Sequence, residues 1–302
     1  MVDPKLHSLM KVVETGSFTR AAEQLSLTQP AVSQHIRSLE SELNVRIFER
    51  KNNELHVTHE GEMVIKYARR MLSLYNNLRK DLTSEKRQLT SLTVGITHTA
   101  ESNPIAEALA KYVSVHSGFK ITIITDTISN LYDMLKTYEL DLIIVEGRNS
   151  DPALRSLMLD TDCLVLVVSP THPLAKKSLV TIDELKREKL ILRLPDSNTR
   201  NQFIASLESQ NLSIDDFNVV LEINNIATIK DLIRHDFGVS VLAKSACLDE
   251  LRKNKIVALP IENLSMMREV NIVYSQDFEH FELLRDIVRI YNEARGLFRE
   301  AP

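Results

Sequence analysis

The chain has 302 residues, of which 43% are hydrophobic and 26% charged, and its formal net charge is -4. This size and apolar content suffice for two or three globular units with hydrophobic cores, and they exclude a disordered chain. No apolar run approaches the roughly 20 residues of a membrane span, and the first residues lack the charge and apolar core of a signal peptide. We therefore expect a cytoplasmic protein with no membrane partner.

The N-terminal segment has the apolar spacing of a short helical domain. A first helix is predicted over about residues 6–15 and ends at Gly16, a natural C-terminal stop. A second helix follows Ser17, an N-cap residue. Its adjacent Ala21 and Ala22 have small side chains and leave room for another helix to cross closely.

A third predicted helix has one apolar face and one polar face. The apolar positions are Val32, Ile36, Leu39 and Leu43. Thr28 can cap this helix, and Pro30 lies in its first turn, where no backbone N–H is missed. The polar face carries Gln29, Ser33, Gln34 and Arg37. Such side chains read base edges and phosphates in a major groove, so the pattern predicts a helix-turn-helix. An ordinary helical hairpin with a polar surface is the alternative.

One long motif runs through these helices. It reads Gly16-Ser17-Phe18-Thr19-x-Ala21-Ala22-Glu23-x-Leu25-x-Leu27-Thr28-Gln29-Pro30-Ala31-Val32-Ser33-x-His35-Ile36-x-x-Leu39-Glu40-x-Glu42-Leu43. It continues through residues 45–50 and Val57-Thr58-x-x-Gly61. The motif resembles the N-terminal domain of LysR-type transcriptional regulators. This resemblance implies a winged helix-turn-helix domain over residues 1–60 that binds double-stranded promoter DNA.

Together the polar face and the resemblance give a set of DNA-binding residues. They are Ser17, Thr19, Arg20, Thr28, Gln29, Pro30, Ser33, Gln34, Arg37 and Arg50. Asn44 stands where the family usually has glycine, but it also tolerates a left-handed backbone, so we expect the turn to be kept. The wing over residues 51–56 lacks the second arginine common in the family and contains Glu54. These two departures leave undecided whether the wing contacts DNA phosphates.

Charge is distributed unevenly between the two ends of the chain. Residues 1–88 hold 14 Lys and Arg against 11 Asp and Glu, whereas residues 89–302 hold 23 against 30. The positive charge therefore lies at the predicted DNA-facing end. Because its excess is modest, tight binding requires two copies of the domain on one operator or local clustering of arginines. The arginines available for such clustering are Arg20, Arg37, Arg46 and Arg50.

A long linker helix is predicted over residues 61–88, where no proline or further glycine follows Gly61. Its apolar residues alternate steps of four and three, as in a heptad repeat. They are Val64, Ala68, Met71, Tyr75, Leu78 and Leu82. This spacing indicates pairing with the same helix of a second subunit, and packing on its own chain is the alternative. The resemblance favours the dimer and allows a homodimer or a homotetramer.

From residue 91 the sequence alternates short apolar strands with helices. The predicted strands are 92–96, 121–125, 141–145, 163–168, 189–192, 219–223, 239–243 and 270–274. The predicted helices are 105–116, 131–138, 199–210, 226–236 and 280–298. This order predicts an α/β fold with largely parallel sheets. The resemblance implies an effector-binding domain over 91–302 that is similar to periplasmic solute-binding proteins. Its first lobe would comprise 91–161 and 268–302, and its second lobe 162–267.

Polar residues follow several of these strands, where open α/β sheets bind small molecules. The candidate effector-binding residues are Thr97, His98, Thr99, Ser102, Thr127, Arg148, Ser197, Asn198, Thr199 and Asn224. Such side chains suit a small anion or carboxylate, and helix capping is the alternative for each. The triplet Thr97-His98-Thr99 resembles the sulfur-assimilation regulators of the family, but three residues do not assign an effector.

Nothing in the sequence favours an enzyme, a cofactor or a metal. The chain has only seven glycines, none close enough in sequence to another to form a dinucleotide-binding, Walker or nucleophile-elbow motif. Cys163 and Cys247 lie far apart, and we expect both to be small core residues. The family implies a small-molecule effector, with RNA polymerase as a further possible partner. A constitutive architectural DNA-binding protein, and a solute-binding or catalytic protein with an incidental hairpin, are the competing classes.

Overall fold

The structure is a computed structural model that describes residues 3–52, 54–87, 90–102 and 104–299. It comprises two compact units, Met1–Ser91 with Lys136–Glu139, and Leu92–Leu135 with Leu140–Pro302. Gln88, where the linker helix is predicted to end, lies outside the described residues. So do residues 300–302, the last residues of the predicted lobe I. No helix among the described residues is both long enough and apolar enough to cross a membrane.

The N-terminal unit consists of short helices, a small hairpin and one long helix. Its elements are α1 (Pro4–Thr15), α2 (Phe18–Leu25), α3 (Gln29–Leu43), β1 (Phe48–Lys51), β2 (Glu54–Val57) and α4 (His59–Arg87). The predicted caps are confirmed, since Ser17 accepts from the N–H of Arg20 and Thr28 from that of Ala31. Asn44 ends α3 with φ 53° and ψ 44°, the left-handed conformation that the sequence predicts.

The hydrophobic core of this unit fixes α3 and the hairpin of β1 and β2, the predicted wing, against each other. Leu9, Ile36 and Ile47 are almost completely buried in one cluster with residues of α4. The carboxylate of Glu40 accepts the backbone N–H of Ile47 at 2.8 Å, which holds the start of the wing against α3. Gly61 is required here, because a Cβ would lie 2.2 Å from the carbonyl oxygen of Ile47.

The C-terminal unit alternates strands and helices. Its strands are β3 (Thr90–Thr97), β4 (Phe119–Asp126), β5 (Leu142–Glu146), β6 (Leu154–Val168), β7 (Leu190–Leu192), β8 (Val219–Glu222), β9 (Ser240–Ala243), β10 (Val257–Leu259) and β11 (Met267–Ser275). Its α-helices are α5 (His98–Glu101), α6 (Ile105–Val115), α7 (Ile128–Lys136), α8 (Ile182–Lys186), α9 (Asn198–Glu208), α10 (Ile226–Arg234), α11 (Leu248–Arg252) and α12 (Phe281–Arg299).

The sheets are mixed, which corrects the prediction of largely parallel sheets. Strand β3 pairs parallel with β5, and β7 parallel with β8. However, β11 pairs antiparallel with both β5 and β6, and β6 pairs antiparallel with β9 and β10. The reason is that the chain leaves the first lobe along β6 and returns along β11. The sequence analysis misses residues 154–162 of β6, because polar and charged side chains interrupt their apolar pattern.

Separate hydrophobic cores divide this unit into lobes, and lobe I has a second cluster around Leu131 and Ile143 on the other face of its sheet. Lobe I packs β3, β5 and β11 against α6 and α12, with Ile144, Ile272 and Tyr291 at its centre. Lobe II packs the second half of β6 with β7, β9, α9 and α10, with Leu192 and Leu242 at its centre. The numerical lobe boundaries expected from the sequence stay predictions.

Candidate DNA-binding face and effector cleft

The outer face of α3 carries the polar residues expected to read DNA. Gln29, Gln34 and Arg37 are exposed and Ser33 is half-buried. The Nε2 of Gln29 donates to the Oγ of Ser33 at 2.8 Å, so these two side chains present one continuous polar surface. The opposite face is committed to the core through the buried side chains of Val32, Ile36 and Leu39. The helix is therefore held by its apolar side while its polar side faces outward.

The remaining predicted DNA-binding residues lie at the start of α2, at the start of α3 and on β1. Thr19, Arg20, Thr28, Pro30 and Arg50 are exposed, whereas Ser17 is half-buried and caps α2. A shallow hollow joins α3 to the wing and is lined by Gln29, Ser33, Arg37, Arg46 and Arg50, among others. Its three arginines lie beside two carboxylates, Glu40 and Glu49, so the positive charge available for phosphate binding is local and partly offset.

The long helix α4 carries an apolar stripe along its exposed side. The stripe consists of Met63, Tyr67, Met71, Leu74, Leu78 and Leu82, each between 51% and 56% exposed. The predicted seam is therefore partly wrong, because Ala68 is buried and Val64 packs in the core of the N-terminal unit. The heptad pattern detects the helix, but it cannot tell which apolar positions face their own domain.

The C-terminal unit has a cleft where strands of both lobes end. From lobe I come Thr97, His98, Thr99 and Thr127, and from lobe II come Ser197, Asn198 and Asn224. The lobes approach closely here, since the Oγ1 atoms of Thr99 and Thr199 lie 3.5 Å apart. Thr97 and Thr127 also cap α5 and α7, but the buried Ser197 makes no side-chain cap to α9. Helix capping therefore explains the positions of Thr97 and Thr127 but not that of Ser197.

A buried arginine in the same cleft was not among the predicted site residues. Arg193 directly follows β7, is 3% exposed and lines the cleft. Its Nη2 donates to the Oδ1 of Asn224 at 3.1 Å, while Nε and Nη1 have no hydrogen-bond partner among the described residues. Burial lowers the pKa of Arg193 below its ordinary value, and nearby Asp196 and Glu146 oppose that shift. Arginine remains charged in proteins, so the cleft contains a desolvated cation with two unused donors.

A charged cluster joins the lobes where β6 and β11 cross between them. Arg268 lies opposite Asp162 in the strand register, and its Nη2 is 3.2 Å from the Oδ2 of Asp162 and 3.9 Å from the Oε1 of Glu146. The Oγ1 of Thr97 donates to the same Oε1 of Glu146 at 2.8 Å. All of these side chains are buried. The crossing is thus held by paired charges.

Three predicted effector-binding residues do not line the cleft. Thr199 is buried behind it, within 3.5 Å of both Thr99 and a nitrogen of Arg268. Arg148 is exposed, pairs with Glu269 at 2.7 Å and lines a neighbouring hollow instead. Ser102 follows α5 and is half-buried. The other seven line the cleft. The rest of its lining was not among the predicted site residues and consists of Asp126, Ile128, Glu146, Arg193 and Asp196.

The two units match two family models. Residues 5–62 match the model described as bacterial regulatory helix-turn-helix protein, lysR family, and residues 86–295 match the LysR substrate binding domain. The chain belongs to the LysR family of transcriptional regulators. It is therefore a DNA-binding transcription regulator with an effector-binding domain, and LysR regulators are not enzymes.

Similar proteins span nearly the whole chain. A probable RuBisCO transcriptional regulator of Trieres chinensis is 26% identical over 277 residues, covering 89% of each chain. The HTH-type transcriptional regulator CysL of Bacillus subtilis is 24% identical over 276 residues, covering 91% of each. The structure of full-length CbnR complexed with its target DNA shares the fold, with a TM-score of 0.67 and 16% identity over 97% of this chain and all of CbnR.

The cysteines of this LysR regulator are free and lie apart from the cleft lining. Cys247 is fully buried and Cys163 is half-buried, so the expectation of a core residue is confirmed for Cys247 only. Burial raises the pKa of the Cys247 thiol to about 12, and it also raises that of Cys163. Both thiols therefore stay protonated and unreactive near neutral pH.

Proposed function

We propose that this regulator binds a dyad-symmetric operator as a homodimer and responds to a small acidic effector held between the lobes by Arg193. The buried guanidinium of Arg193, in which Nε and Nη1 have no hydrogen-bond partner among the described residues, carries the effector part of the proposal. A buried cation is costly unless it is paired, and a carboxylate or sulfate oxygen can accept from both unused nitrogens. The nearby hydroxyls of Thr99 and Ser197 offer further donors to the same anion.

On the DNA side, we propose that α3 enters the major groove and that Gln29 and Arg37 contact bases or phosphates. Support comes from their exposure and from the arginine-lined hollow that continues from α3 onto Arg46 and Arg50 of the wing region. Ser17, Thr19, Arg20, Thr28, Pro30, Ser33 and Gln34 complete the proposed surface. Phosphate contacts would position the domain, and contacts to base edges would select the sequence.

For the assembly, we propose that the exposed stripe of α4 pairs with the same stripe of a second chain. Six large apolar side chains, each about half exposed, form a continuous row on one helix. Contiguous exposed apolar surface marks an interaction site. Two DNA-binding domains joined in this way would bind two half-sites, which offsets the modest positive charge of each domain. Two such dimers can associate further into a homotetramer.

Effector binding can alter DNA binding only if the effector prefers one arrangement of the lobes. Because groups of both lobes line the cleft, a ligand bound there contacts both at once and favours their closed arrangement. A coupling free energy of about 1 to 3 kcal/mol would suffice to change operator binding measurably.

The test begins with thermal shift of the full chain against inorganic sulfate, simple carboxylates and amino acids, each at high concentration. A ligand at 100 times its dissociation constant stabilises by about 2.7 kcal/mol. We expect Arg193→Met to lose that stabilisation and Arg187→Met, an exposed arginine of lobe II, to keep it. Stabilisation of the Arg193→Met variant equal to that of the parent would exclude Arg193 as the anchor.

The second step is footprinting of operator DNA, selected from random sequence with the full chain, with and without the stabilising compound. Asn198→Ala lies in the cleft lining, and we expect it to bind the operator normally but to lose the response. If no acidic compound stabilises the parent, or the footprint is the same with the stabilising compound as without it, effector control through this cleft is wrong. The protein would then act as a constitutive DNA-binding regulator.

A further inference from the structure

The cleft carries more negative than positive side chains. Its charged lining comprises the carboxylates Asp126, Glu146 and Asp196 and the guanidinium of Arg193. His98 also lines it, with Nδ1 3.8 Å from a carboxylate oxygen of Glu101. An effector with only negative charge would satisfy Arg193 but would be brought into the field of the three carboxylates. The excess of carboxylates in the lining therefore limits which charged groups the effector can carry.

Glu146 is the most buried of these carboxylates, and its charge is only partly compensated. Its Oε1 accepts from Thr97 and lies 3.9 Å from Nη2 of Arg268. That same Nη2 is closer, at 3.2 Å, to Asp162. One guanidinium is thus shared between two buried carboxylates, and the other cation near Glu146 is Arg193. A carboxylate bound to Arg193 would offset that second positive charge, so Glu146 then favours an additional cation beside it.

Asp126 adds a second carboxylate on the same lobe as Glu146. Its Oδ1 accepts from the backbone N–H of Thr127 at 2.7 Å and from Nδ2 of Asn130 at 2.8 Å. Both donors are neutral, so these bonds orient the carboxylate without cancelling its charge. The acidic side chains Glu146 and Asp126 thus belong to lobe I, whereas lobe II contributes Arg193 together with the exposed Asp196.

From this separation we infer that the effector is a small zwitterion of the amino-acid type. Its carboxylate binds Arg193 of lobe II, and its protonated amine binds Glu146 and Asp126 of lobe I. The inference rests on the proposed effector cleft and adds the chemical class of the ligand. A compound with an acid group alone leaves the lobe I carboxylates uncompensated, and an amine alone leaves Arg193 unpartnered.

The cleft is narrow with the lobes as they stand. The cavity between them has a volume of about 20 Å³, roughly enough for one water molecule. Small-molecule sites range from roughly 300 to 1,000 Å³, so the lobes must separate to admit an amino acid. An amino acid bound with one charged group on each lobe would bridge them.

The inference is tested by calorimetric titration of the full chain with matched compounds. The twenty proteinogenic amino acids are screened first, each on its own. Every binder is then compared with its analogue without the amine and its analogue without the carboxylate, for example propanoate and ethylamine in place of alanine. We expect at least one amino acid to bind, and each analogue that lacks one of the two α-groups to bind at least tenfold more weakly.

Variants separate this inference from the cleft proposal. Arg193→Met should abolish binding of the amino acid, whereas Glu146→Gln should weaken it at least tenfold and reduce the preference over the amine-free analogue. Asp126→Asn, at a less buried position, tests the same point if Glu146→Gln does not fold. Glu107→Gln, an exposed position on α6, is the matched control.

Each alternative outcome has a distinct meaning. Equal binding of the amine-free analogue, still lost in Arg193→Met, overturns the zwitterion and leaves the cleft as an anion site. Failure of all twenty amino acids to bind also overturns the zwitterion. Binding that neither Arg193→Met nor the acidic variants alter shows that the ligand lies elsewhere, and then the cleft proposal itself fails.

Discussion

The proposed DNA face and the effector cleft place their polar groups in opposite environments. On α3, Gln29 and Arg37 are exposed, and the helix is held by apolar residues on its other side. In the cleft, Arg193 and Glu146 are no more than 5% exposed and lie in the body of the fold. A substitution on α3 can therefore change binding while folding stays intact. In the cleft, the groups are buried, so a substitution there can change the free energy of unfolding as well as ligand binding.

The largest expected effect distinguishes a structural cation from a ligand-binding cation. Arg268→Met removes the partner of the buried Asp162 and should lower the free energy of unfolding by about 3 to 5 kcal/mol. Arg193→Met removes a desolvated cation with two unused donors, so without ligand it should leave stability unchanged within about 1 kcal/mol or raise it. Urea unfolding of both variants measures the difference. Equal destabilisation would show that Arg193 is structural, and the cleft would lose its proposed anchor.

The next prediction concerns exposed apolar surface. Met71→Glu places a charge in the α4 stripe and should weaken self-association at least tenfold, because burying an unpaired carboxylate is costly. Sedimentation velocity over a concentration series measures the shift, and operator affinity should fall with it. Asn76→Glu adds the same charge to the same helix outside the stripe and serves as the control. An unchanged mass of the Met71→Glu protein would rule out this interface.

A smaller effect is expected on the DNA face. Gln29→Ala should cost about 1 to 3 kcal/mol of binding at one operator base pair and much less on random DNA, if Gln29 reads a base edge. Arg50→Ala should weaken binding to both DNAs alike and reduce the salt slope by about one. Competition binding at several salt concentrations separates the two. An equal loss of affinity on both DNAs for Gln29→Ala would show that Gln29 contacts a phosphate instead. As a control, the thermal stability of the Gln29→Ala protein should match that of the parent.

The smallest effect appears at high pH, at a buried polar group away from the cleft lining. Burial raises the pKa of Tyr291 to about 12, and its hydroxyl donates to Asp160. An unfolded tyrosine ionises near pH 10, so the unfolded state loses its proton first and stability falls as pH rises through this window. The loss is at most about 1.4 kcal/mol per pH unit. Between pH 8 and pH 11, the melting temperature should fall less steeply with pH for Tyr291→Phe than for the parent. Equal slopes of melting temperature against pH would refute the prediction.

The contrast between the two regions also explains what the sequence could predict. Gln29, Ser33, Gln34 and Arg37 could be named because the periodicity of α3 leaves one face polar. The threonines of the cleft could be named because they follow apolar strands. The same rule applies to Arg193, directly after Leu190–Leu192, and to Glu146, at the end of another apolar run. Their positions at the ends of apolar strands were visible in the sequence. A single charged residue at such a position, however, has no spacing pattern that marks it as part of a site.

Other features depended on contacts distant in sequence. The antiparallel pairing of β6 with β11 joins segments about a hundred residues apart, and no local pattern encodes it. Likewise, Ala68 and Met71 both fit one heptad, and only the packing of the N-terminal unit buries the first and exposes the second. Periodicity identifies an amphipathic element, whereas its partner follows from tertiary structure.

The paired strands β6 and β11 also determine the mechanics of the effector-binding domain. The lobes are joined by a hydrogen-bonded ribbon with a register shift between Val270 and Asn271, and its cross-strand charges Asp162 and Arg268 lie at the crossing. Such a ribbon resists bending within its own plane more than it resists twisting. Under the proposed effector control, we therefore expect the lobes to move by a torsion of small amplitude, so that a bound effector would act through a small rotation of one lobe against the other.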